Sequence, residues 1–378
     1  MDSSSSNSGI SDKDRIICDD TARRLYPSYT VTRSPFQGAC SYTLSLSPKD
    51  DYHHPGKHQS TGIPLILQFR PSCYPLDMTI AALAKATYGS FAPRTDAVDT
   101  LAISKEKVFL MYEIERLNGV PYSSCQPQVY HLDEHTFKKQ ERLVSGFADF
   151  LSRGWVSTAT SRGQTTCTGK VGSQLTARLH QLAQELPSHE LRAYAQRIFQ
   201  EVLSGKLDIL PLVLNHGDAI PSNLMLDPDT FRFVGMVDWA ESEMLPFGTC
   251  LYGLELLLGY MTTVPSNSSV SCSVHVFRYY EQADSLRSVF WERLGCRTPG
   301  LAASGIRAAV ELARDVGVLL WYGFAWDGGK IDRVVDGVSD AVEVRYLEAF
   351  FWDLGEERAG RSSSGGYTVT GSADAKLD

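Results

Sequence analysis

No two of the eight cysteines form a Cys-x-x-Cys pair, and eight thiols in 378 residues are too few for a disulfide scaffold. They read as free thiols in a reducing compartment. No run of about 18 uncharged apolar residues occurs. The best candidate, 248–264, carries Glu255. The opening Met1-Asp2-Ser3-Ser4-Ser5-Ser6-Asn7 has neither a basic nor an apolar segment, so a soluble cytoplasmic protein without a membrane partner is expected. Cationic residues are not in excess: 36 Lys plus Arg against 44 Asp plus Glu leave a net charge of −8, which speaks against a nucleic-acid binder. None of these features fixes an oligomeric state.

What is present suits a globular protein, with 43% hydrophobic and 21% charged residues. The Ser/Asn-rich residues 2–9 and the Ser/Gly-rich 359–378 read as disordered tails. The polar stretch 50–62 reads as a loop between strands, and its His53, His54 and His58 as solvated rather than metal-binding. Alternating or short apolar runs at 29–32, 42–46, 63–69 and 108–114 predict strands, and 76–88 shows helical spacing. From 119 onward the pattern is helical over 136–151, 171–186 and 190–203. Short strands follow at 212–214, 224–226 and 233–237, then helical patterns at about 272–294, 303–322 and 338–353. The polar stretch 158–172 reads as a connection between helices. The expected architecture is α+β in two lobes: a lead-in over 1–26, a β-rich lobe over 27–115, a helical lobe over 116–356 and a tail over 357–378.

The most informative segment is 212–239, LVLNHGDAIPSNLMLDPDTFRFVGMVDW. His216-Gly217-Asp218 follows one apolar strand, Asn223 lies five residues beyond the Asp, and Asp238 follows a second apolar strand. Charged groups at the ends of buried strands are costly unless something there needs them. Two carboxylates and a carboxamide at adjacent strand ends suit phosphoryl transfer, which needs one carboxylate for the acceptor hydroxyl and hard oxygen ligands for Mg²⁺.

His216-Gly217-Asp218-x4-Asn223 with Val237-Asp238-Trp239 resembles the catalytic loop and metal-binding segment of the aminoglycoside phosphotransferase family, which shares the protein-kinase-like fold. Leu179-His180 and the segment 251–257, LYGLELL, resemble further family motifs, although Gly253 stands where an Asp is expected. The resemblance implies an ATP- and Mg²⁺-dependent enzyme that phosphorylates a hydroxyl of a small molecule. Asp218 would be the base or acceptor-positioning carboxylate, with His216 beside it in the catalytic loop, bracing it rather than moving protons. Asn223 and Asp238 would hold Mg²⁺ against the phosphates.

The first lobe departs from that pattern. Gln68 stands at the position of the phosphate-holding Lys and carries no charge; Arg70, on the same face two residues on, is the candidate for that role. No Glu occurs in 76–88, so the usual Lys–Glu pair cannot form. Gly38 is the one glycine between the first two strands, in a turn that either covers phosphates or merely reverses the chain. Backbone groups at 112–114, around Glu113, would meet adenine. These departures leave an alternative open: a catalytically altered binding module, or a kinase fold reused for other metabolite chemistry. Glu241 and Glu243 fit either a solvated acidic loop or an attraction for a cationic acceptor. Trp321, Tyr322, Phe324 and Trp326 fit either core packing or an acceptor pocket.

Overall fold

The computed structural model describes residues 10–38, 40–49, 62–158, 167–265, 273–303, 305–327 and 331–351. His53, His54, His58 and both terminal tails lie outside the described residues, as does most of the 158–172 connection. The first element is a helix within the expected lead-in. Ser11 caps it by accepting from the Asp14 amide, while the Asp14 carboxylate accepts from the Ser11 amide, so α1 runs over Asp12–Leu25. Its Cys18 and Ala22 lie buried on the small sheet.

That sheet is built from β1 (Tyr29–Arg33), β2 (Tyr42–Pro48), β3 (Leu65–Pro71), β4 (Thr95–Ala102) and β5 (Val108–Glu115). It is antiparallel in the order β1-β2-β3-β5-β4. Leu44, Leu46, Leu67, Phe69, Phe109 and Met111 form its core with α1. Strand β4 carries no sequence signal: it is an edge strand, TDAVDTLA, mostly exposed on both faces, so no apolar alternation marks it.

Helix α2 (Met78–Tyr88) starts at Asp77, whose carboxylate accepts from the Thr79 and Ile80 amides. Its buried residues, Ala84 and Tyr88, belong to the core of the larger lobe rather than to that of the sheet. Tyr88 stacks on Phe150 at 4.5 Å and lies 5.0 Å from Trp239, and its hydroxyl donates to the Leu214 carbonyl. This helix therefore ties the small lobe to the strand that leads into His216-Gly217-Asp218.

The larger lobe contains β6 (Val120–Pro121), α3 (Glu134–Thr158), α4 (Gly169–Gly172), α5 (Leu175–Glu185) and α6 (His189–Leu203). Strands β7 (Leu212–Asn215), β8 (Leu224–Leu226), β9 (Phe233–Met236) and β10 (Glu243–Pro246) follow, then α7 (Tyr252–Leu257). Next come β11 (Gly259–Pro265), β12 (Ser273–Tyr279), α8 (Ala283–Arg297), α9 (Ile306–Tyr322), β13 (Phe324–Ala325), β14 (Arg333–Val334) and a helix α10 over 341–351. The helical expectation over 272–294 is corrected at its start: residues 273–279 are β12, paired antiparallel with β11, and the helix begins at Ala283. Among the described residues no helix is long and apolar enough to cross a membrane.

Candidate active site

Strand β7 pairs with β10 and β8 pairs with β9, so the turns that leave these strands lie together. Asn215, buried at the end of β7, locks the two-strand pair. Its Nδ2 donates to the Val213 and Leu245 carbonyls at 3.1 and 3.0 Å, and its Oδ1 accepts from the Cys250 amide at 3.0 Å. The sequence reading passed over this residue, which resembles any strand-ending Asn. Gly217 follows where the chain has no room: a Cβ there would sit 1.7 Å from the Glu241 carbonyl oxygen.

His216 is buried against Trp239, with ring centroids 4.7 Å apart. Its Nδ1 accepts from the Asp218 amide at 3.2 Å, which requires the proton on Nε2, and Nε2 donates to the Val237 carbonyl at 2.9 Å. Burial pulls the imidazole down to about 4, so it is neutral near pH 7. Both nitrogens are engaged with backbone, and the ring braces the loop from Asp218 to the end of β9.

Asn223 is held over the same loop. Its Nδ2 donates to the Asp218 carboxylate at 2.7 Å and to the Asp218 carbonyl at 3.0 Å, which leaves its Oδ1 as the ligand atom of the carboxamide. The Val237 amide donates to the Asn223 carbonyl at 2.9 Å, placing Asp238 one residue further along. Asp238 has φ +61°, in the left-handed region, and projects from the strand end into the open cleft, where it is exposed. Burial and the neighbouring charges of Asp238 and Glu241 push the Asp218 carboxyl up to about 7 against the lowering effect of Asn223. The other Asp218 oxygen, Oδ1, is buried and has no hydrogen-bond partner among the described residues. The three groups singled out in the sequence thus converge.

The small lobe faces them across the cleft. Arg70 is 7% exposed; its Nε donates to the Tyr74 carbonyl at 2.9 Å and its Nη1 to the Gln68 side-chain oxygen at 3.4 Å. Among the described residues no carboxylate pairs with it, although a buried guanidinium with only neutral partners is costly. In the β1–β2 turn, Gln37 bridges the Ser34 and Thr43 carbonyls and the Thr43 amide, and a Cβ on Gly38 would meet Ser41 Oγ at 2.8 Å. At the end of the turn, the Cys40 thiol is raised by burial, lowered by the Arg70 charge and raised by Asp238 and Glu241. The three charges are thus close enough to act on that thiol. Helix α2 contains no Asp or Glu that could meet Arg70, and its Lys85 pairs with Glu115 at 2.8 Å.

Glu113 does not stand at an open sheet edge, where adenine was expected. Its backbone lies inside the sheet, with Leu67 opposite on β3 and Asp96 opposite on β4, and its carboxylate accepts from the Tyr26 hydroxyl. The expectation ignored β4, which occupies that edge. The amides of Glu115 and Arg116 are engaged as well, with the Arg94 and Pro64 carbonyls.

Among the described residues no group of three His, Cys, Asp or Glu side chains comes together to hold a metal. Mg²⁺ on a nucleotide requires no such cage, since one or two protein oxygens and the phosphates suffice. The Asn223 carboxamide and the exposed Asp238 carboxylate fit that requirement.

A slot opens beside the catalytic loop. His216 and Gly217 line one end, Glu241 and Glu243 one wall, and Tyr252, Trp321 and Trp326 another. The aromatic residues that the sequence left between core and pocket are divided: Tyr322 and Phe324 are buried, whereas Trp321 and Trp326 remain half-buried and face the slot.

Residues 81–249 match the model of the phosphotransferase enzyme family. No curated protein matches the chain. Among solved structures, an ethanolamine kinase from Plasmodium vivax is 10% identical, with 93% of this chain and 92% of that chain covered and a TM-score of 0.52. A macrolide 2'-phosphotransferase from Brachybacterium faecium is 13% identical over 90% and 98% of the two chains, with a TM-score of 0.45. A choline kinase from Streptococcus pneumoniae is 13% identical over 89% and 99%, with a TM-score of 0.43. Over 81–249, the span that holds Asp218, Asn223 and Asp238, the chain matches that family model, and its two-lobed fold is protein-kinase-like.

Proposed function

We propose that this chain is an ATP- and Mg²⁺-dependent phosphotransferase acting on a hydroxyl of a small molecule. The reading is carried by the joining of the Asp218 carboxylate to Asn223 at 2.7 Å, with the charge of Asp238 felt from the neighbouring strand end. Asp218 orients the acceptor hydroxyl and takes its proton through Oδ1, the oxygen left without a partner. Asn223 fixes the other oxygen of that carboxylate and, with Asp238, would hold the metal. Mg²⁺ bound there supplies neutralisation of charge on the transferring phosphoryl group. Arg70 binds phosphate oxygens with a guanidinium that no acid among the described residues occupies, and Gln68 orients it. His216, neutral and tied at both nitrogens, holds the loop and moves no proton.

Asp218 must be ionised to accept a proton, so kcat/KM rises with pH through about 7 as this carboxyl titrates. The test is ADP release over a panel of hydroxylated metabolites, with Asp218→Ala as the control. The variant is expected to lose about 10²- to 10⁴-fold in turnover while retaining its thermal shift with MgATP. Wild-type turnover in the variant would remove Asp218 from the role of base. A chain that shows no thermal shift with ATP, with or without Mg²⁺, would instead be a binding module.

A further inference from the structure

We infer that Tyr252 is a positioning residue for the transfer: with Gly253 it fixes the backbone on which Asp218 stands. This inference rests on the phosphotransfer reading above. The two peptide groups that flank the Asp218 Cα are each held by an aromatic side chain. The Asp218 amide donates to His216 Nδ1 at 3.2 Å, and the Ala219 amide donates to the Tyr252 hydroxyl at 2.8 Å. Between them, the Asp218 carbonyl accepts from the Ile220 amide and from Asn223 Nδ2, both at 3.0 Å. With the backbone held on both sides and one carboxylate oxygen held by Asn223, the direction of the free oxygen, Oδ1, is set as well. Ala219 is buried, so its amide needs the partner that Tyr252 supplies.

Tyr252 is itself held rigidly. Its ring is buried and stacked on Trp321 at 5.3 Å with 11° between the planes. Helix α9 presses on it from behind: a Cβ on Gly317 would lie 3.2 Å from the Tyr252 ring and 1.8 Å from the Thr249 carbonyl oxygen. Gly253 is the second half of the device. A Cβ there would lie 2.7 Å from the Ala219 carbonyl oxygen and 3.0 Å from the Ala219 Cβ, so the backbone of α7 bears directly on the residue after Asp218. Position 253 is the one where the resemblance calls for an Asp, and a glycine brings no carboxylate to the loop. Here the neighbouring hydroxyl and the close approach of the backbone do the bracing. At the other end, Asn215 Oδ1 accepts from the Cys250 amide at 3.0 Å, so 250–253 grips 215–219 twice. Glu255, one turn on, pairs with Arg287 and Arg314 and anchors α7 to α8 and α9. Tyr252 acts through the Ala219 peptide, so its loss is expected in the rate and not in nucleotide binding.

The experiment uses the full chain with MgATP and water as the acceptor. It measures ADP release, the thermal shift with MgATP, and amide hydrogen exchange of the segment 214–224 by mass spectrometry. Tyr252→Phe keeps the ring and its stack on Trp321 and removes only the oxygen. It is expected to lower kcat about 10- to 100-fold with KM for MgATP within about twofold of the wild type. Exchange over 214–224 should rise about tenfold while α5 and α8 keep their wild-type rates. Gly253→Ala leaves the hydroxyl in place but pushes on the Ala219 carbonyl. It should show the same split between kcat and KM, and it decides the matter if Tyr252→Phe fails to fold. Wild-type kcat in Tyr252→Phe overturns the inference and leaves phosphotransfer standing. So does a fall in kcat accompanied by an equal loss of MgATP affinity and faster exchange throughout the lobe, the signature of a core tyrosine. A wild type that binds MgATP but passes no phosphate to water also overturns the inference alone, because a base so firmly held has water within reach. No thermal shift with MgATP overturns the phosphotransfer reading and the inference with it.

Discussion

Two side chains two residues apart are driven in opposite directions by the same burial. In the protein free of nucleotide and metal, His216 is pulled down to about 4, and Asp218 is pushed up to about 7 by burial, Asp238 and Glu241. Between about pH 4 and 6.5 the unfolded chain protonates the His216 imidazole that the fold keeps neutral, so this residue makes stability rise with pH. Over the same range the fold keeps a proton on Asp218 that the unfolded chain has lost, so this residue makes stability fall with pH. The two slopes oppose each other. Replacing Asp218 by Asn leaves the His216 slope uncompensated. Urea unfolding at about pH 5 and pH 6 should then show Asp218→Asn gaining on the wild type by about 1 kcal/mol over that unit. Parallel profiles for the two proteins would show that the Asp218 carboxyl titrates in its ordinary range. The residues themselves were legible from their spacing, His216-Gly217-Asp218-x4-Asn223, but the neutrality of His216 was not, because it comes from burial against residues distant in the chain, Trp239 among them.

At the scale of elements, the catalytic turn depends on how closely β7 and the turn after Asp238 approach. Gly217 permits that approach, and Gly217→Ala places a methyl 1.7 Å from the Glu241 carbonyl oxygen. The turn has to move, and a shift of about 1 Å at reacting groups costs on the order of a hundredfold in rate. Gly217→Ala is therefore expected to lose about that much kcat while MgATP still shifts its melting temperature, since Arg70 and the β1–β2 turn are untouched. Unchanged single-turnover rates would mean that the turn relaxes without disturbing Asp218. Strands β7, β8 and β9 were legible as short apolar runs, because both of their faces are covered. Strand β12 was not: the helical pattern of the following element was run back to 272, and only pairing with β11 decides for strand. Strand β4 lacked a signal altogether, and its absence from the reading moved the expected adenine contact onto Glu113, whose edge β4 occupies.

At the scale of the whole molecule, the larger lobe contains a buried ionic cluster behind the slot. Glu255 of α7 accepts from Tyr279 at 3.0 Å and pairs with Arg287 at 3.2 Å and Arg314 at 3.3 Å, joining α7, β12, α8 and α9. Burial alone would raise its carboxyl, and the two guanidinium groups hold it below its usual range. Glu255→Ala removes the carboxylate that Arg287 and Arg314 share, leaving them Asp284 and Asp315, and should destabilise the lobe by about 2–3 kcal/mol, read as a lower urea midpoint. A loss below about 1 kcal/mol would show that water reaches the two arginines.

The sequence by itself determined the two-lobed α+β organisation and the three groups that converge on the cleft. Short apolar strands that end in charged residues leave few other arrangements when both faces of the strands are buried. Only the tertiary structure decided the rest. It buried Arg70 with no acid among the described residues beside it, paired both edges of Glu113, and turned Trp321 and Trp326 toward the slot while Tyr322 and Phe324 went into the core. The physical reason is common to all of these: local spacing fixes which residues share a face, but which face meets water, a partner strand or a cavity depends on elements distant in the chain.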